Sequence, residues 1–256
     1  MRFYLGTHEP SWLWNPAIRG VPLFVAHPRL TRLRSLRRAS SPWALDSGGY
    51  SELRKYGEWR TTAREYVEAV ARYDREIGHL EWAAPQDWMC EPWMIHGGRG
   101  APGTHLTGGE HQRRTVANFL ECRALWPEFS DGSCPIMPAV QGGDGYPHTA
   151  CVELYTANGV DLAAYPVVGV GTLCRVQATA EVVDIIGSLT GLPLHGFGVK
   201  KTGLAAVCDQ LVSADSLAWS FDARYTPVRL AGHAHTKCQN CLEWALKWRS
   251  TLPGIE

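Results

Sequence analysis

The sequence predicts an α/β protein, a (β/α)8 TIM barrel with a small Cys/His element of the zinc-binding type near its end. Three observations support this prediction. Eight short apolar segments recur along the chain, helix-like segments lie between most of them, and 256 residues suit one barrel domain. Near-continuous apolar strands that alternate with helices are typical of a parallel sheet, because both of its faces are buried. We therefore expect one domain over residues 1–256, which includes a zinc-type segment at 230–250.

The predicted strands are the apolar segments that end in polar or glycine-rich turns. They span residues 3–7, 22–27, 43–47, 80–86, 135–141, 166–170, 194–199 and 211–215. The main alternative is an open doubly wound sheet, which usually carries a glycine-rich phosphate loop after its first strand. The first predicted strand is followed by His8, Glu9 and Pro10 instead, which favours the barrel.

Helical patterns appear at residues 29–38, 62–77, 110–125, 148–158, 178–189 and 202–208. The first of them carries five arginines, with leucines at near-helical spacing. Such a helix face is either solvated surface or a patch that contacts phosphates. A long glycine-rich stretch at 96–109 has further arginines in it and after it, and we expect it to be either a mobile lid or a nucleic-acid loop. The candidate nucleic-acid contacts are Arg34, Arg37, Arg38, Arg99 and Arg113.

Charge and hydropathy exclude some classes of protein. Lys and Arg together number 25, as do Asp and Glu, so the formal net charge is zero. This excludes attachment to nucleic acid by overall charge, although a local basic patch remains compatible with it. No apolar run approaches the roughly 18–20 residues of a membrane span, and the first residues lack the features of a signal peptide. We expect a cytoplasmic protein without a membrane partner, whose eight cysteines are reduced.

Polar side chains and glycines follow six of the predicted strands. In a barrel, the carboxyl ends of the strands build the active site. Each residue alone has an ordinary structural explanation, since an aspartate before a helix is often an N-cap and paired glycines often form a turn. Their coincidence at successive strand ends indicates a site. The residues concerned are Asp46, Ser47, Gly48, Asp87, Gln141, Gly142, Gly169, Gly171, Gly196, Phe197 and Asp215.

These residue types suit the exchange of a purine base at a sugar. One carboxylate can attack the anomeric carbon and hold the sugar as an ester. A second can move the proton of the leaving or incoming base. A third can accept hydrogen bonds from N1–H and the 2-amino group of guanine, and a glutamine can donate to a purine carbonyl. Glycines let the backbone approach a flat ring closely.

Five segments, in the same order, resemble motifs of tRNA-guanine transglycosylases. LDSGGY at 45–50 resembles their D-S-G-G-[FY] motif, VQGG at 140–143 their V-Q-G segment, and VGVG at 168–171 the glycine-rich loop that follows. HGFG at 195–198 resembles their late M-G-V-G strand, and DSLAWS at 215–220 with Arg224 is similar to the nucleophile segment of the archaeal branch. The resemblance covers about residues 3–250 and is closest to the short DpdA group, enzymes that put 7-deazaguanines into DNA in phages and bacteria.

The resemblance implies a role for each matching residue. Asp215 would be the nucleophile on C1′, and Asp46 would be the acid/base beside it. Asp87 would recognise the edge of the base, with contacts from Gln141 and from the backbone near Gly169 and Gly171, while Phe197 would pack on its face. Phe221-Asp222 resembles the bacterial nucleophile segment, so Asp222 is an alternative. Asp215 is favoured because it ends a predicted strand and keeps Ser216, Ala218, Trp219 and Arg224 in register.

The segment HAHTKCQNC at 233–241 is the predicted metal element. Two thiolates at C-x2-C spacing and two nearby imidazoles could close a tetrahedral zinc site. Related transglycosylases carry C-x-C-x2-C and a distant histidine, whereas Thr236 replaces the first cysteine here. The alternative is a metal-free cysteine pair packed against a helix that carries Trp244 and Trp248. We expect a structural zinc and no redox cofactor, with the ligands His233, His235, Cys238 and Cys241.

Three functions are compatible with these residues. The first is a DNA guanine transglycosylase that flips guanine out and exchanges it for a 7-deazaguanine such as preQ0 through an Asp215 ester. The second is a tRNA-guanine transglycosylase or a nucleoside-acting glycosidase, although the short chain has little room for an RNA-binding domain. The third is a non-catalytic partner subunit, which would not need to keep three aspartates. The family also suggests a homodimer and a bacterial or phage origin.

Overall fold

The computed structural model describes residues 1–255 except 144, 177–178, 227, 229 and 233–236, and of Arg175 only the backbone. Eight parallel strands in this part of the chain form one sheet. They are β1 Arg2–Thr7, β2 Leu23–Ala26, β3 Trp43–Asp46, β4 Leu80–Ala83, β5 Ala139–Val140, β6 Val168–Val170, β7 Leu194–Gly196 and β8 Ser213–Ser216. All eight predicted strands are present, and most are shorter than predicted.

The strand order is β4-β3-β2-β1-β8-β7-β6-β5, and the sheet curls as in a TIM-like fold. A doubly wound sheet would reverse its strand order beside the first strand. Here β1 lies between β2 and β8, so that alternative was wrong. The two edges of the sheet meet at one parallel bridge between Ala83 and Ile136. The amide of Ala83 donates to Pro135 O at 2.8 Å, and the amide of Met137 donates to Ala83 O at 3.0 Å.

The described residues also form ten α-helices: α1 His27–Leu30, α2 Gly49–Tyr56, α3 Ala63–Glu76, α4 Pro92–His96, α5 Gly108–Leu125, α6 His148–Ala157, α7 Thr179–Ser188, α8 Lys201–Val207, α9 Ala218–Tyr225 and α10 Leu242–Arg249. Short 3-10 helices lie at Pro10–Trp14, Pro16–Ile18, Trp126–Glu128, Leu162–Ala164, Leu173–Arg175 and Cys208–Gln210. Helix α3 begins at a capping box of Thr62 and Glu65. Helices α3 and α5 to α8 lie within two residues of the predicted bounds, and none of the ten is long and apolar enough to cross a membrane.

The predicted helix at 29–38 was wrong, because α1 ends at Leu30. Like charges three and four residues apart disfavour a longer helix, and Arg34 has this spacing to both Arg37 and Arg38. The segment after α1 instead leads from the carboxyl end of β2 to the amino end of β3. It is anchored there because the amide of Ala39 donates to Ile77 O at 2.9 Å.

Successive side chains of each strand point to opposite faces of the sheet, which separates two clusters of core side chains. Phe3 and Leu5 of β1 belong to the large core that includes residues of the helices. Tyr4, between them, belongs to a second cluster with Phe24 and Trp82, inside the curve of the sheet. Since side chains two residues apart share a face, the polar residues that end the inward-facing rows reach the carboxyl mouth of the sheet.

Candidate active site

A cavity of about 320 Å³ opens at the carboxyl ends of the strands, a size typical of small-molecule sites. Asp46 ends β3, Asp87 and Gln141 follow β4 and β5, and Asp215 lies on β8; all four line the cavity. The structure thus brings together side chains from four strand ends of the predicted site. The lining also contains Phe24, Tyr50, Met89, Glu91, Gly171, Thr172, Phe197 and Gly198.

Asp46 is a half-buried carboxyl group with one backbone hydrogen bond. The amide of Gly48 donates to its Oδ1 at 2.9 Å. Gly48 has φ +87°, and a Cβ there would lie 2.6 Å from the ring of Pro28, so glycine is required. Burial raises the pKa of Asp46 to about 6, and the charge of Asp215 acts in the same direction. A carboxyl group with this pKa can both give and take a proton near neutral pH.

Asp87 and Gln141 form a buried carboxyl–amide pair. Gln141 Nε2 donates a short hydrogen bond to Asp87 Oδ2, and Thr172 donates its hydroxyl to Gln141 Oε1 at 3.3 Å. Burial raises the pKa of Asp87 to about 7, the charges of Asp46 and Glu91 add to this, and the bond from Gln141 opposes it. The pair presents oxygen acceptors beside an amide donor. Asp46, Asp87 and Gln141 are called the acidic side of the cavity below.

The glycines near this side make room for side chains. A Cβ at Gly171 would lie 2.2 Å from Gln141 Nε2, and a Cβ at Gly169 would lie 2.4 Å from the ring of Phe197. Both distances are far below van der Waals contact. The transglycosylase resemblance had implied that the backbone here contacts the base. The structure adds a spacing role, because these glycines allow the amide of Gln141 and the ring of Phe197 to occupy their positions.

Asp215 is held on one of its two oxygens. Its Oδ1 accepts a hydrogen bond from the amide of Gly198 at 2.9 Å and lies 3.3 Å from His195 Nε2. His195 is fully buried on β7, and its Nδ1 lies 2.8 Å from Ser213 Oγ. His195, Gly198 and Asp215 are called the histidine side below. No role was predicted for His195, although a histidine in an otherwise apolar strand was a usable signal.

Other predicted site residues have different surroundings. Asp222 is exposed on α9 and does not line the cavity. Ser47 is buried, and its hydroxyl has no hydrogen-bond partner within the described ranges. A Cβ at Gly142 would lie 2.3 Å from the ring of His148, and one at Gly196 would lie 2.5 Å from Val199. These two glycines therefore serve local packing around the site.

The family model for DpdA, described as DeoxyPurine in DNA protein A, matches residues 1–254. The chain belongs to the DpdA family. This confirms the resemblance noted from the motifs, and membership implies DNA modification by insertion of a 7-deazaguanine and a transglycosylase-type enzyme. No curated protein sequence matches the chain.

Two exposed arginines of this DpdA protein lie next to each other, and one of them contacts a residue of the cavity lining. Arg54 Nη1 is 3.5 Å from the hydroxyl of Tyr50, which lines the cavity, and its Nη2 donates to Arg99 O at 3.4 Å. The Arg99 guanidinium lies 4.2 Å from the ring centroid of Trp93. Neither guanidinium forms an ion pair with any residue that the structure describes. Sequence reasoning missed Arg54, which lies on the unpredicted helix α2.

The other predicted arginine contacts are less suitably placed. Arg38 donates to Arg75 O at 3.0 Å and lies against Gly78, close to the amino end of β4 and away from the cavity mouth. Arg34 and Arg37 are exposed on the same segment. Arg113 is paired with Glu110 at 2.7 Å, which partly neutralises it.

The predicted metal element of the DpdA chain is described only in part. Cys238 is buried and hydrogen-bonds with Cys241, whose Sγ also accepts from the amide of Trp244 at 3.5 Å and caps α10. His233 and His235 lie outside the described residues. Within the described ranges, no group of three or more potential metal ligands is found. The adjacent thiols fit two of the four zinc ligands.

Proposed function

We propose that this DpdA family member exchanges guanine in DNA for a 7-deazaguanine such as preQ0, through an ester between Asp215 and the deoxyribose. The observation that carries the proposal is the meeting of Asp46, Asp87, Gln141 and Asp215 in one cavity at the strand carboxyl ends. To reach this cavity, the guanine leaves the base stack of the duplex.

The reaction has two displacements at C1′. In the first, a carboxylate oxygen of Asp215 bonds to C1′ as the bond from C1′ to N9 breaks, and the electron pair leaves with guanine. Protonated Asp46 gives its proton to the departing base. In the second, N9 of the incoming base loses its proton to Asp46 and bonds to C1′, which breaks the ester and restores Asp215. The raised pKa of Asp46, about 6, suits this alternation.

The acidic side would recognise the base. Ionised Asp87 can accept from N1–H and the 2-amino group, and Gln141 has a second amide hydrogen for the purine carbonyl beyond the one donated to Asp87. Guanine and 7-deazaguanines share this edge, so both can enter the site. Adenine lacks the matching groups and would leave Asp87 with no donor other than Gln141, which a buried site penalises strongly. Phe197 lines the same cavity and would pack against the ring.

A covalent adduct tests the nucleophile directly. End-labelled duplex DNA and tRNA are incubated separately with protein and no incoming base, then run on a denaturing gel. We expect a slower protein–DNA band for the wild type and for Asp222→Asn, and none for Asp215→Asn. Loss of the band in Asp222→Asn alone would reassign the nucleophile. A band with tRNA alone would overturn DNA as the substrate.

The exchange assay uses labelled preQ0 and the same two nucleic acids. Label that enters DNA and not tRNA, and that is lost in Asp215→Asn, is the expected result. If wild-type protein neither forms an adduct nor exchanges the base, the catalytic proposal fails and a partner-subunit role replaces it.

Arg54 and Arg99 would contact phosphates of the DNA beside the flipped base. Their exposure, their lack of ion pairs within the described residues and the contact of Arg54 with Tyr50 support this. Each lost phosphate contact should lower the slope of log affinity against log salt by about 1. Arg54→Ala and Arg99→Ala should each do so, whereas Arg38→Ala, near the opposite ends of the strands, should not. Equal slopes for all three variants would contradict this surface.

We also propose that the protein binds a structural zinc ion. Cys238 and Cys241 would hold it together with His233 and His235, and it would tie the segment before α10 in place. We expect one equivalent of zinc in purified protein and loss of zinc with a lower Tm in Cys238→Ser. Metal-free protein with an unchanged Tm would favour the packed cysteine pair.

A further inference from the structure

His195 is a buried imidazole that the proposed reaction does not use. On β7, it pairs in register with Ser213 of β8. Its side chain therefore lies beside two inward-facing residues of β8, Ser213 and Asp215. Ser213 and Asp215 are two residues apart on one strand and therefore share a face. The His195 ring bridges them, with Nδ1 2.8 Å from Ser213 Oγ and Nε2 3.3 Å from Asp215 Oδ1.

The ring is enclosed by aromatic side chains. Its centroid lies 4.6 Å from that of Trp82, 5.0 Å from Phe197, 5.7 Å from Phe24 and 5.9 Å from Tyr4. Burial lowers the pKa of His195, although the hydrogen bond and charge of Asp215 oppose this. The imidazole is therefore neutral at pH 7 and carries a single N–H.

The partners decide which nitrogen carries that hydrogen. An ionised carboxylate only accepts, so the nitrogen that faces Asp215 must donate. Nε2 therefore holds the hydrogen, Nδ1 has the lone pair, and the hydroxyl of Ser213 donates to Nδ1. The amide of Gly198 donates to the same Asp215 oxygen at 2.9 Å. Two donors thus hold Oδ1, whereas Oδ2 has no hydrogen bond from any residue that the structure describes, and Asp215 lines the cavity.

We propose that His195, set as the Nε2–H tautomer by Ser213, is a positioning residue that holds Oδ1 of Asp215 and directs Oδ2 at C1′. The inference rests on the proposed role of Asp215 as the nucleophile. His195 transfers no proton and is absent from the cavity lining, so it acts on the chemical step and leaves the affinity for the incoming base unchanged. The same logic of a base oriented by a third group operates in catalytic triads, here with a donor that orients a carboxylate.

Nitrogen-15 NMR of histidine-labelled protein tests the tautomer without any need for activity. The His195 signals, identified by their absence in His195→Gln, should report neutral imidazole with hydrogen on Nε2 at pH 7. In Ser213→Ala this preference should weaken. A ring that carries its hydrogen on Nδ1, or that is doubly protonated at pH 7, would overturn the proposal.

Adduct kinetics test the positioning role. His195→Leu should slow adduct formation on the order of 100-fold, the effect of a misplaced reacting group, with KM for preQ0 in exchange unchanged. His195→Gln, whose side chain retains an N–H donor, should recover part of the rate. Met137→Leu, in the same buried cluster but not bonded to Asp215, is the matched control and should react as the wild type does.

The outcomes separate the two proposals. A folded His195→Leu variant with the wild-type rate would overturn the positioning role and leave the proposed exchange intact. If His195→Leu does not fold, His195→Gln and the NMR tautomer decide the point. Absence of both adduct formation and base exchange in the wild type would overturn the proposed function, while the tautomer measurement would still test whether His195 donates to Asp215.

Discussion

The acidic side and the histidine side of the cavity both hold aspartates, but they surround them differently. Half-buried Asp46 and buried Asp87 lie near each other, and their pKa values rise to about 6 and about 7. Asp215 instead accepts two hydrogen bonds on one oxygen, from a backbone amide and a buried ring. The difference teaches that neighbours can give one residue type different properties, which suit the three roles proposed here: proton transfer, base recognition and nucleophilic attack.

The largest effect that would sharpen this contrast comes from Asp46→Asn. Loss of the proton donor should lower the rate of base exchange by roughly 100- to 10,000-fold. The affinity for preQ0, measured by fluorescence quenching or calorimetry, should change little, because Asp87 and Gln141 remain. Exchange within tenfold of the wild type would show that Asp46 is not the acid/base.

A smaller effect is expected from Gly171→Ala. The new Cβ would lie within 2.4 Å of three atoms of the Gln141 amide and force it away from Asp87. We expect KM for preQ0 to rise roughly tenfold, the size of about 1.4 kcal/mol of lost binding, with kcat little changed. Gly187→Ala is the matched control, since nothing lies within 4 Å of a Cβ there. Equal KM values in the two variants would contradict a base-binding role for Gln141.

The smallest effect concerns stability. Because the pKa of Asp87 is about 7 in the folded protein and 3.8 ordinarily, the folded state keeps a proton between these values that the unfolded state has released. The contribution of Asp87 to the free energy of unfolding is therefore greatest below about pH 4 and is lost as the pH rises through about 7. Asp87→Asn should raise Tm relative to wild type by several degrees more at pH 8 than at pH 4. The control Asp131→Asn, at an exposed position, should show no such difference in the Tm change between pH 8 and pH 4. Equal differences for both variants would contradict burial of the Asp87 carboxyl group as the cause.

Local sequence patterns predicted the strands and the aspartates that follow them. Asp46 and Asp215 were found because each ends an apolar segment, and parallel strands carry such ends to one mouth. His195 was missed because its partners lie 18 and 20 residues away and meet it only through the register of β7 and β8. The spacing role of Gly171 likewise depends on a side chain from another strand.

The error at residues 29–38 has the same cause. Leucine spacing there suits a helix, but the chain must cross from one end of the sheet to the other and bind the end of α3 at Ile77. Long-range hydrogen bonds of this kind override local periodicity. The unpredicted helix α2 begins directly after Gly48, which forms the left-handed turn that supports Asp46. The only feature of the sequence at this point was a glycine pair, which did not indicate a helix.

The bridge between Ala83 and Ile136 joins the two edges of the curled sheet, and the residues that we propose to recognise the base follow it on both strands. Asp87 lies four residues after Ala83, and Gln141 lies five residues after Ile136. A bound base that contacts both residues would link the two edges of the sheet across this bridge. Amide hydrogen exchange at Ala83 and Met137 would then slow when the base binds. The exchange rates at this bridge would therefore report whether the cavity holds a base.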